Sequence, residues 1–220
     1  MKRSLIIILT LVLFSCNSTQ LTENWKNPDI DSYEPTKVFV IGLTSNIEAR
    51  QQFESKLKTQ LELRGIETVM SLDFIEPQFR TEKMTEAELN TLESDLIDAG
   101  FDTILFSKVI GVEDKIEYKQ KFGSDFNTNT KFRDDYLRYQ DAFYNPEYYN
   151  EYTVYNAETS MSCICPTKER ELIWKGYISI TDPKSIEKTV SEYVNLVIAV
   201  LEDQQLINPS SVYSEPQVIK

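Results

Sequence analysis

The sequence predicts an α/β fold with a mixed sheet of about five strands. Three observations lead to this class: strand-like and helix-like apolar patterns alternate over residues 37–110, two strand-like segments follow over 151–180, and an amphipathic stretch comes last. Alternating strands and helices with short connections predict parallel strands joined by right-handed crossovers. We therefore expect a β-α-β-α-β unit, then an antiparallel hairpin and a C-terminal helix, with the helices packed on the sheet.

The first β-α-β unit begins at residue 37. Lys37–Leu43 is apolar on both parities, as in a strand covered on both faces. Residues 45–48 (S-N-I-E) fit a capping box, and the helix that follows has apolar positions every four residues at Phe53, Leu57 and Leu61. Gly65 is expected to end this helix, and residues 66–72 form the second strand.

A second capping box, Thr85 to Glu88, begins the next helix. Its apolar face is predicted to consist of Leu89, Leu92, Leu96 and Ile97. Gly100 ends the helix, and residues 101–110 form the third strand.

Residues 151–165 and 171–180 predict the antiparallel hairpin. Trp174 shares its parity with Leu172, Ile178 and Ile180, so we expect it to face the helices. Asp182 is expected to cap the last helix, with Pro183 at its first position. Its apolar stripe of four turns consists of Ile186, Val190, Tyr193, Val194, Val197, Ile198 and Leu201.

The N-terminus predicts a lipoprotein signal peptide over residues 1–15. Lys2 and Arg3 precede an apolar run that ends in Leu13-Phe14-Ser15-Cys16. A helix of this length spans about 15 Å, half the hydrocarbon core of a bilayer, which suits a signal peptide and not a permanent span. The ending resembles the lipobox of bacterial lipoproteins. This resemblance implies that Cys16 is acylated and that palmitate is among its acyl chains. An ordinary signal peptide ending in Cys is the alternative.

The remaining chain is expected to contain a lipidated tether, 16–36, a single α/β domain, 37–207, and a flexible tail, 208–220. Asn17 is not the aspartate that retains some lipoproteins at the inner membrane, and no acidic cluster follows Cys16. These two features favour the outer membrane, with the protein facing the periplasm.

Composition excludes several functions. The formal net charge is −12, and Lys2 and Arg3 lie in the signal, so the mature part carries −14. This charge argues against nucleic-acid binding, and it leaves membrane attachment to the lipid on Cys16. Histidine is absent, so no Ser-His-Asp triad or histidine metal site is available. No glycine-rich nucleotide loop is present either, and we expect neither cofactor nor metal.

Two sequence features remain open. Cys163 and Cys165 form a C-x-C before Pro166, which can be read as buried free thiols, the interpretation we favour, as an oxidised pair, or as a soft-metal site. The insert 111–150 is rich in tyrosine, and Tyr139, Tyr144, Tyr148 and Tyr149 are candidate ligand-binding residues. The alternative is a long loop that packs on the sheet through its own aromatic side chains.

A family resemblance adds to this picture. The segment Asp98-Ala-Gly-Phe-Asp-Thr-Ile-Leu, and Leu172-Ile-Trp followed by a final helix, resemble a group of uncharacterised bacterial envelope lipoproteins. Their α/β domain is similar to the amino-terminal domain of the Tol translocation protein and to curli-secretion lipoproteins. The resemblance covers about residues 37–207 and implies the fold and an assembly or interaction role. It carries no catalytic residue, and the insert 111–150 departs from it.

The sequence therefore predicts a lipid-anchored, non-catalytic component of the cell envelope that interacts with an envelope protein. One alternative is a module that binds glycan or peptidoglycan fragments through the tyrosine-rich insert. Another is a carboxylate-dependent hydrolase, although no spacing singles out a pair of carboxylates.

Overall fold

The computed structural model describes residues 18–75, 83–118, 131–139, 149–164 and 171–210. Within them, six strands form one mixed sheet in the order β1-β6-β5-β4-β2-β3, which confirms the predicted α/β class. The elements in chain order are β1 Thr19–Lys26, β2 Lys37–Leu43, α1 Ile47–Glu62, β3 Glu67–Met70, α2 Ser71–Phe74, α3 Glu86–Asp98, β4 Thr103–Tyr118, α4 Phe132–Tyr139, β5 Tyr149–Cys163, β6 Leu172–Thr181 and α5 Ile186–Asp203.

The three strands β2, β3 and β4 form the parallel half of the sheet, as the alternating pattern predicts. Val38 of β2 lies between Thr68 of β3 and Thr103 of β4. β3 is shorter than the predicted strand 66–72. It ends at Met70 because Ser71 and Leu72 instead donate hydrogen bonds to a buried carboxylate of α1, and the chain turns into α2 there.

The antiparallel half of the sheet extends into the predicted insert. β4 pairs with β5 over fifteen positions, from Thr103 opposite Cys163 to Tyr118 opposite Tyr149. Residues 111–118 and 149–150 therefore belong to strands and not to an insert. The two strands form a ribbon because each satisfies the other's backbone groups. β5 in turn pairs with β6, which confirms the hairpin.

The predicted tether is wrong over residues 19–26, which form the edge strand β1. β1 pairs antiparallel with β6 along its length, with a bulge between Leu21 and Glu23. Residues 19–26 lack the long apolar run of a buried strand, yet their backbone satisfies the N–H and C=O groups that β6 would otherwise leave open. Thr19 is buried, and Leu21 packs against the main core.

Two of the three predicted helix starts are displaced. The N-cap of α1 is Asn46, whose side chain accepts a hydrogen bond from Ala49 N, and not Ser45. The N-cap of α5 is Ser185, and Asp182 has a φ of 49°, so neither Asp182 nor Pro183 begins that helix. The capping box of Thr85 and Glu88 is confirmed. Gly65 and Gly100 adopt positive φ at the helix ends, as predicted.

The sheet is covered on both faces. One face, with α1 and α5, forms the main core, to which β2 contributes Val38 and Val40. The other face carries a smaller core under α2 and α3, centred on Phe39. Trp174 is fully buried in the main core, which confirms its predicted face. None of the helices described is long and apolar enough to cross a membrane.

Cys163 is buried and disulfide-bonded. The expectation of a buried free thiol is therefore wrong for Cys163. The other two cysteines of the chain, Cys16 and Cys165, lie outside the described residues.

Candidate functional site

The predicted site residues lie at or beyond the edges of the described chain. Cys16, Tyr144 and Tyr148 fall outside it. Tyr139 is the last residue of α4, and Tyr149 is the first residue of β5, opposite Tyr118. The tyrosine-rich surface therefore stays a prediction.

The structure contains a pocket that sequence reasoning missed. Its volume is about 430 Å³, and it lies at the carboxyl end of β2, between the N-terminal halves of α1 and α5. Most of its lining is apolar: Leu43, Ala49, Phe53, Val109, Tyr155, Ala157, Ile180, Pro183, Ile186 and Val190. The volume is within the range of about 300–1,000 Å³ that is typical of small-molecule sites.

Gly42 shapes the inner wall of this pocket. A Cβ atom at Gly42 would stand 3.0 Å from Cδ1 of Phe53, closer than ordinary van der Waals contact. The absence of a side chain lets α1 approach the sheet and places the Phe53 ring in the pocket wall. The same ring meets Tyr193 of α5 edge to face, with centroids 5.9 Å apart.

A chain of three hydroxyl groups lies at the base of the pocket. Thr159 shares one hydrogen bond of 2.6 Å with Ser107 and another of 2.7 Å with Tyr193. Burial raises the pKa of Tyr193 to about 12, although the hydrogen bonds from Thr159 and Ser107 oppose this shift. The phenol therefore stays protonated at physiological pH, and it positions the pocket wall.

A buried ion pair supports the pocket from the side of α1. Glu54 is fully buried, and its Oε1 accepts from Arg50 Nε at 3.0 Å, from Ser71 Oγ at 2.6 Å and from Gly42 N at 3.0 Å. Its Oε2 accepts from Leu72 N at 3.0 Å. One carboxylate thus ties α1 to the end of β2 and to the start of α2.

The sequence contains a signal for this network. Arg50 and Glu54 stand at i and i+4, and they continue the stripe of Leu57 and Leu61. An ion pair on the apolar stripe of a helix is expected to be buried, because that stripe faces the core. The partners Ser71 and Gly42 carry no comparable signal.

The polar lining of the pocket is neutral or basic. It includes Arg50, Lys108 and Lys184, and none of the lining residues is Asp, Glu, His or Cys. Lys108 extends to the opposite face of the sheet, where its Nζ lies 3.0 Å from Glu158 Oε1. Within the described part of the chain, no group of three or more potential metal ligands occurs. The arrangement suits the binding of an apolar group.

Glu158 forms a second polar cluster, on the sheet face away from α1 and α5. Lys108 and Lys175 approach its Oε1 at 3.0 and 3.3 Å. Burial raises the pKa of this carboxyl, but the hydrogen bonds from the two lysines outweigh that effect, and the net result is a pKa below its usual value. The cluster holds adjacent strands together, since its three residues come from β4, β5 and β6.

No protein-family model matches the chain, and no curated protein matches it significantly. Among solved structures, the chain is similar to the PelC dodecamer from Paraburkholderia phytofirmans, with 10% identity and a TM-score of 0.43. That match covers 86% of this chain and 98% of the other. It is also similar to lipoprotein GNA1162 from Neisseria meningitidis, with 15% identity, a TM-score of 0.41, and coverage of 77% and 99%. Likeness at this level supports no conclusion about function.

Proposed function

We propose that the protein is a lipid-anchored, non-catalytic component of the cell envelope that binds another envelope protein at the pocket end of its sheet. The lipid on Cys16 anchors the protein to the outer membrane, and the α/β domain faces the periplasm. The lipobox-like Leu13–Cys16 supports the anchor, and the neutral-to-basic, largely apolar pocket lining supports binding over catalysis.

The observation that carries the binding role is an apolar rim beside the pocket. The apolar rim consists of Leu43, Ile47, Val109 and Ile110, which are between 41% and 67% exposed. Ile47 and Ile110 directly follow the lining residues Asn46 and Val109 in the chain. Leu43 and Val109 also line the pocket. Clustered exposed apolar side chains on a highly charged protein mark an interaction surface, because single ones are common but groups are costly in water.

The anchor is tested with Cys16→Ser. We expect this variant to lose fatty-acid labelling and membrane retention, because each buried methylene contributes about 0.8 kcal/mol of membrane affinity and the acidic body contributes none. Fractionation of cells labelled with radioactive palmitate measures both. A wild-type protein that takes up no label and stays in the soluble fraction would contradict the anchor.

The binding role is tested by site-specific photo-cross-linking in intact membranes. A photoreactive amino acid is placed at Ile47 in the apolar rim and, as the control, at Leu89 on α3, which is 51% exposed. We expect a discrete protein adduct from position 47 and none from position 89. Identical adducts from both positions, or none from position 47, would rule out the apolar rim as the binding surface.

A further inference from the structure

We propose that the pocket is an acyl-chain site and that its occupant is one fatty chain carried by this protein's own Cys16. The inference rests on the proposed function, since it requires the lipid on Cys16. It goes further because it assigns a ligand class, and the source of that ligand, to the pocket.

The chain two residues after Cys16 is held beside the pocket. Ser18 is fixed at the pocket end of the sheet: its backbone N and its Oγ donate to Glu192 Oε2 at 3.2 and 2.9 Å, and its carbonyl accepts from Thr181 N at 2.7 Å. Thr181 lies between Ile180 and Pro183, which both line the pocket. The start of β1 is therefore held beside the pocket and not at the far end of the domain.

An acyl chain on Cys16 is long enough to reach the pocket. Cys16 precedes Ser18 by two residues, so its sulfur lies within about 7 Å of Ser18 plus the length of the side chain. A single acyl chain spans half of a hydrocarbon core, or about 15 Å. The chain attached at Cys16 can thus extend over the first turn of α5 and enter between α5 and α1. β1 begins at Thr19, only three residues after Cys16. The lipid is therefore not separated from the domain by the long flexible tether that the sequence predicts.

The chemistry of the pocket lining suits an acyl chain. The walls are mostly aliphatic and aromatic, no carboxylate lines them, and the hydroxyl of Tyr193 at the base is already paired. Such a pocket gains from a ligand without hydrogen-bonding groups. With about 430 Å³, it has room for one chain, and the remaining chains of a lipoprotein stay in the bilayer.

Covalent attachment gives the Cys16 acyl chain a high effective concentration at the pocket. A ligand attached two residues from a fixed point competes with free ligands at the concentration that its short linker imposes, commonly in the millimolar range. The covalent chain is therefore favoured over free fatty acids as occupant. Bilayer lipid and a second copy of the protein are the two competitors that the experiment must separate.

The test uses the full-length lipoprotein in its own membranes. Cells are grown with a palmitate analogue that carries a diazirine in the chain, the membranes are irradiated, and the adducts are mapped by mass spectrometry. We expect adducts between the Cys16 lipid and peptides of α1 and α5, near Phe53 and Val190. In a control, the labelled protein is mixed with isotopically heavy protein before irradiation. We expect each lipid to be cross-linked only to peptides of its own copy, so no adduct should contain a heavy peptide.

In Ala49→Trp, the larger side chain on the α1 wall fills part of the pocket and should reduce the yield of adducts about tenfold. The reason is that displacing two methylene groups of the acyl chain from the pocket lowers its affinity by roughly a factor of ten. Thr189→Trp, on the facing α5 wall, should reduce the yield of adducts by a similar factor. This second variant keeps the test valid if one of the two substitutions prevents folding. Ala87→Trp on α3 is the matched control and should leave the adducts unchanged. Thermal melting verifies that each variant is folded.

Three results would overturn the inference. Adducts to phospholipid alone would place every chain in the bilayer, and adducts to heavy peptides would assign the pocket to another copy. In both cases the lipid anchor would stand and only the pocket assignment would fail. A protein that incorporates no analogue would overturn the lipid anchor itself and this inference with it.

Discussion

Loss of the buried carboxylate of Glu54 should destabilise the domain far more than loss of an exposed carboxylate of α1. Glu54 is 0% exposed and accepts four hydrogen bonds, one of them from the guanidinium of Arg50, whose side chain is 10% exposed. Glu54→Ala leaves a buried cation and three further donors without their acceptor. Removal of one partner of a buried ion pair costs about 3–5 kcal/mol, a large part of the stability of a typical domain.

The assay is equilibrium unfolding in urea, followed by circular dichroism. Glu62→Ala is the matched control: the residue lies on the same helix, is exposed, and pairs with Lys58 at 3.7 Å. A surface pair of this kind is worth at most about 1 kcal/mol. We expect the midpoint for Glu54→Ala to fall far below those of the wild type and of Glu62→Ala.

A double-mutant cycle isolates the pairing. Arg50→Ala combined with Glu54→Ala should cost less than the sum of the two single changes by at least about 1 kcal/mol, because the double variant no longer leaves an unpaired buried charge. If Glu54→Ala cost no more than Glu62→Ala, the buried network would not hold α1 to the sheet, and the reasoning would be refuted.

Three further predictions concern the core and its polar groups. Trp174→Ala should cost about 3–5 kcal/mol, because the side chain is fully buried; an unchanged melting temperature would contradict its position in the core. Glu158→Gln should destabilise the protein at neutral pH, because a lowered carboxyl pKa stabilises the fold only while the group is ionised. The difference from wild type should shrink as the pH falls below the usual pKa of a glutamate and through the lowered pKa of Glu158; a difference independent of pH would refute the ion cluster. Tyr193→Phe should cost about 1 kcal/mol through the lost hydrogen bond and should remove from the ultraviolet titration a phenol that ionises near pH 12. The raised pKa of Tyr193 stabilises the fold below about pH 10 and this contribution is lost as the pH rises toward 12, so a variant with the same alkaline unfolding profile as wild type would count against it.

The positions of the parallel strands and of the core faces of α1 and α5 were predictable because they depend on local apolar periodicity. The predicted face of α3 was wrong at Leu89, which is 51% exposed. Phe53, Leu57 and Leu61 recur at helical spacing and are all buried, and Trp174 lies on the face that its parity predicts. The helix starts were less predictable, because several consecutive residues around Asn46 and Ser185 are able to cap a helix. The backbone geometry selects among them, and sequence spacing alone does not.

The strand β1 could not be predicted, because its sequence is polar at most positions. An edge strand is stabilised by the backbone groups of its neighbour, here β6, and by a few side chains such as Thr19 and Leu21. That stabilisation depends on a partner about 155 residues away in the chain. A similarly long separation, 174 residues, hides the contact between Ser18 and Glu192, which fixes the start of β1 against α5.

What the sequence determined by itself was the set of local properties: the α/β class, the apolar faces of α1 and α5, the acidic charge and the lipobox-like Leu13–Cys16. Only the tertiary structure decided which distant segments meet. It brought Gly42 against Phe53, joined Glu54 to Ser71, and placed Ser18 beside the pocket. The physical reason is that periodicity and capping act between near neighbours along the chain. A pocket, in contrast, is the space left where separate elements pack, and its shape belongs to no single segment.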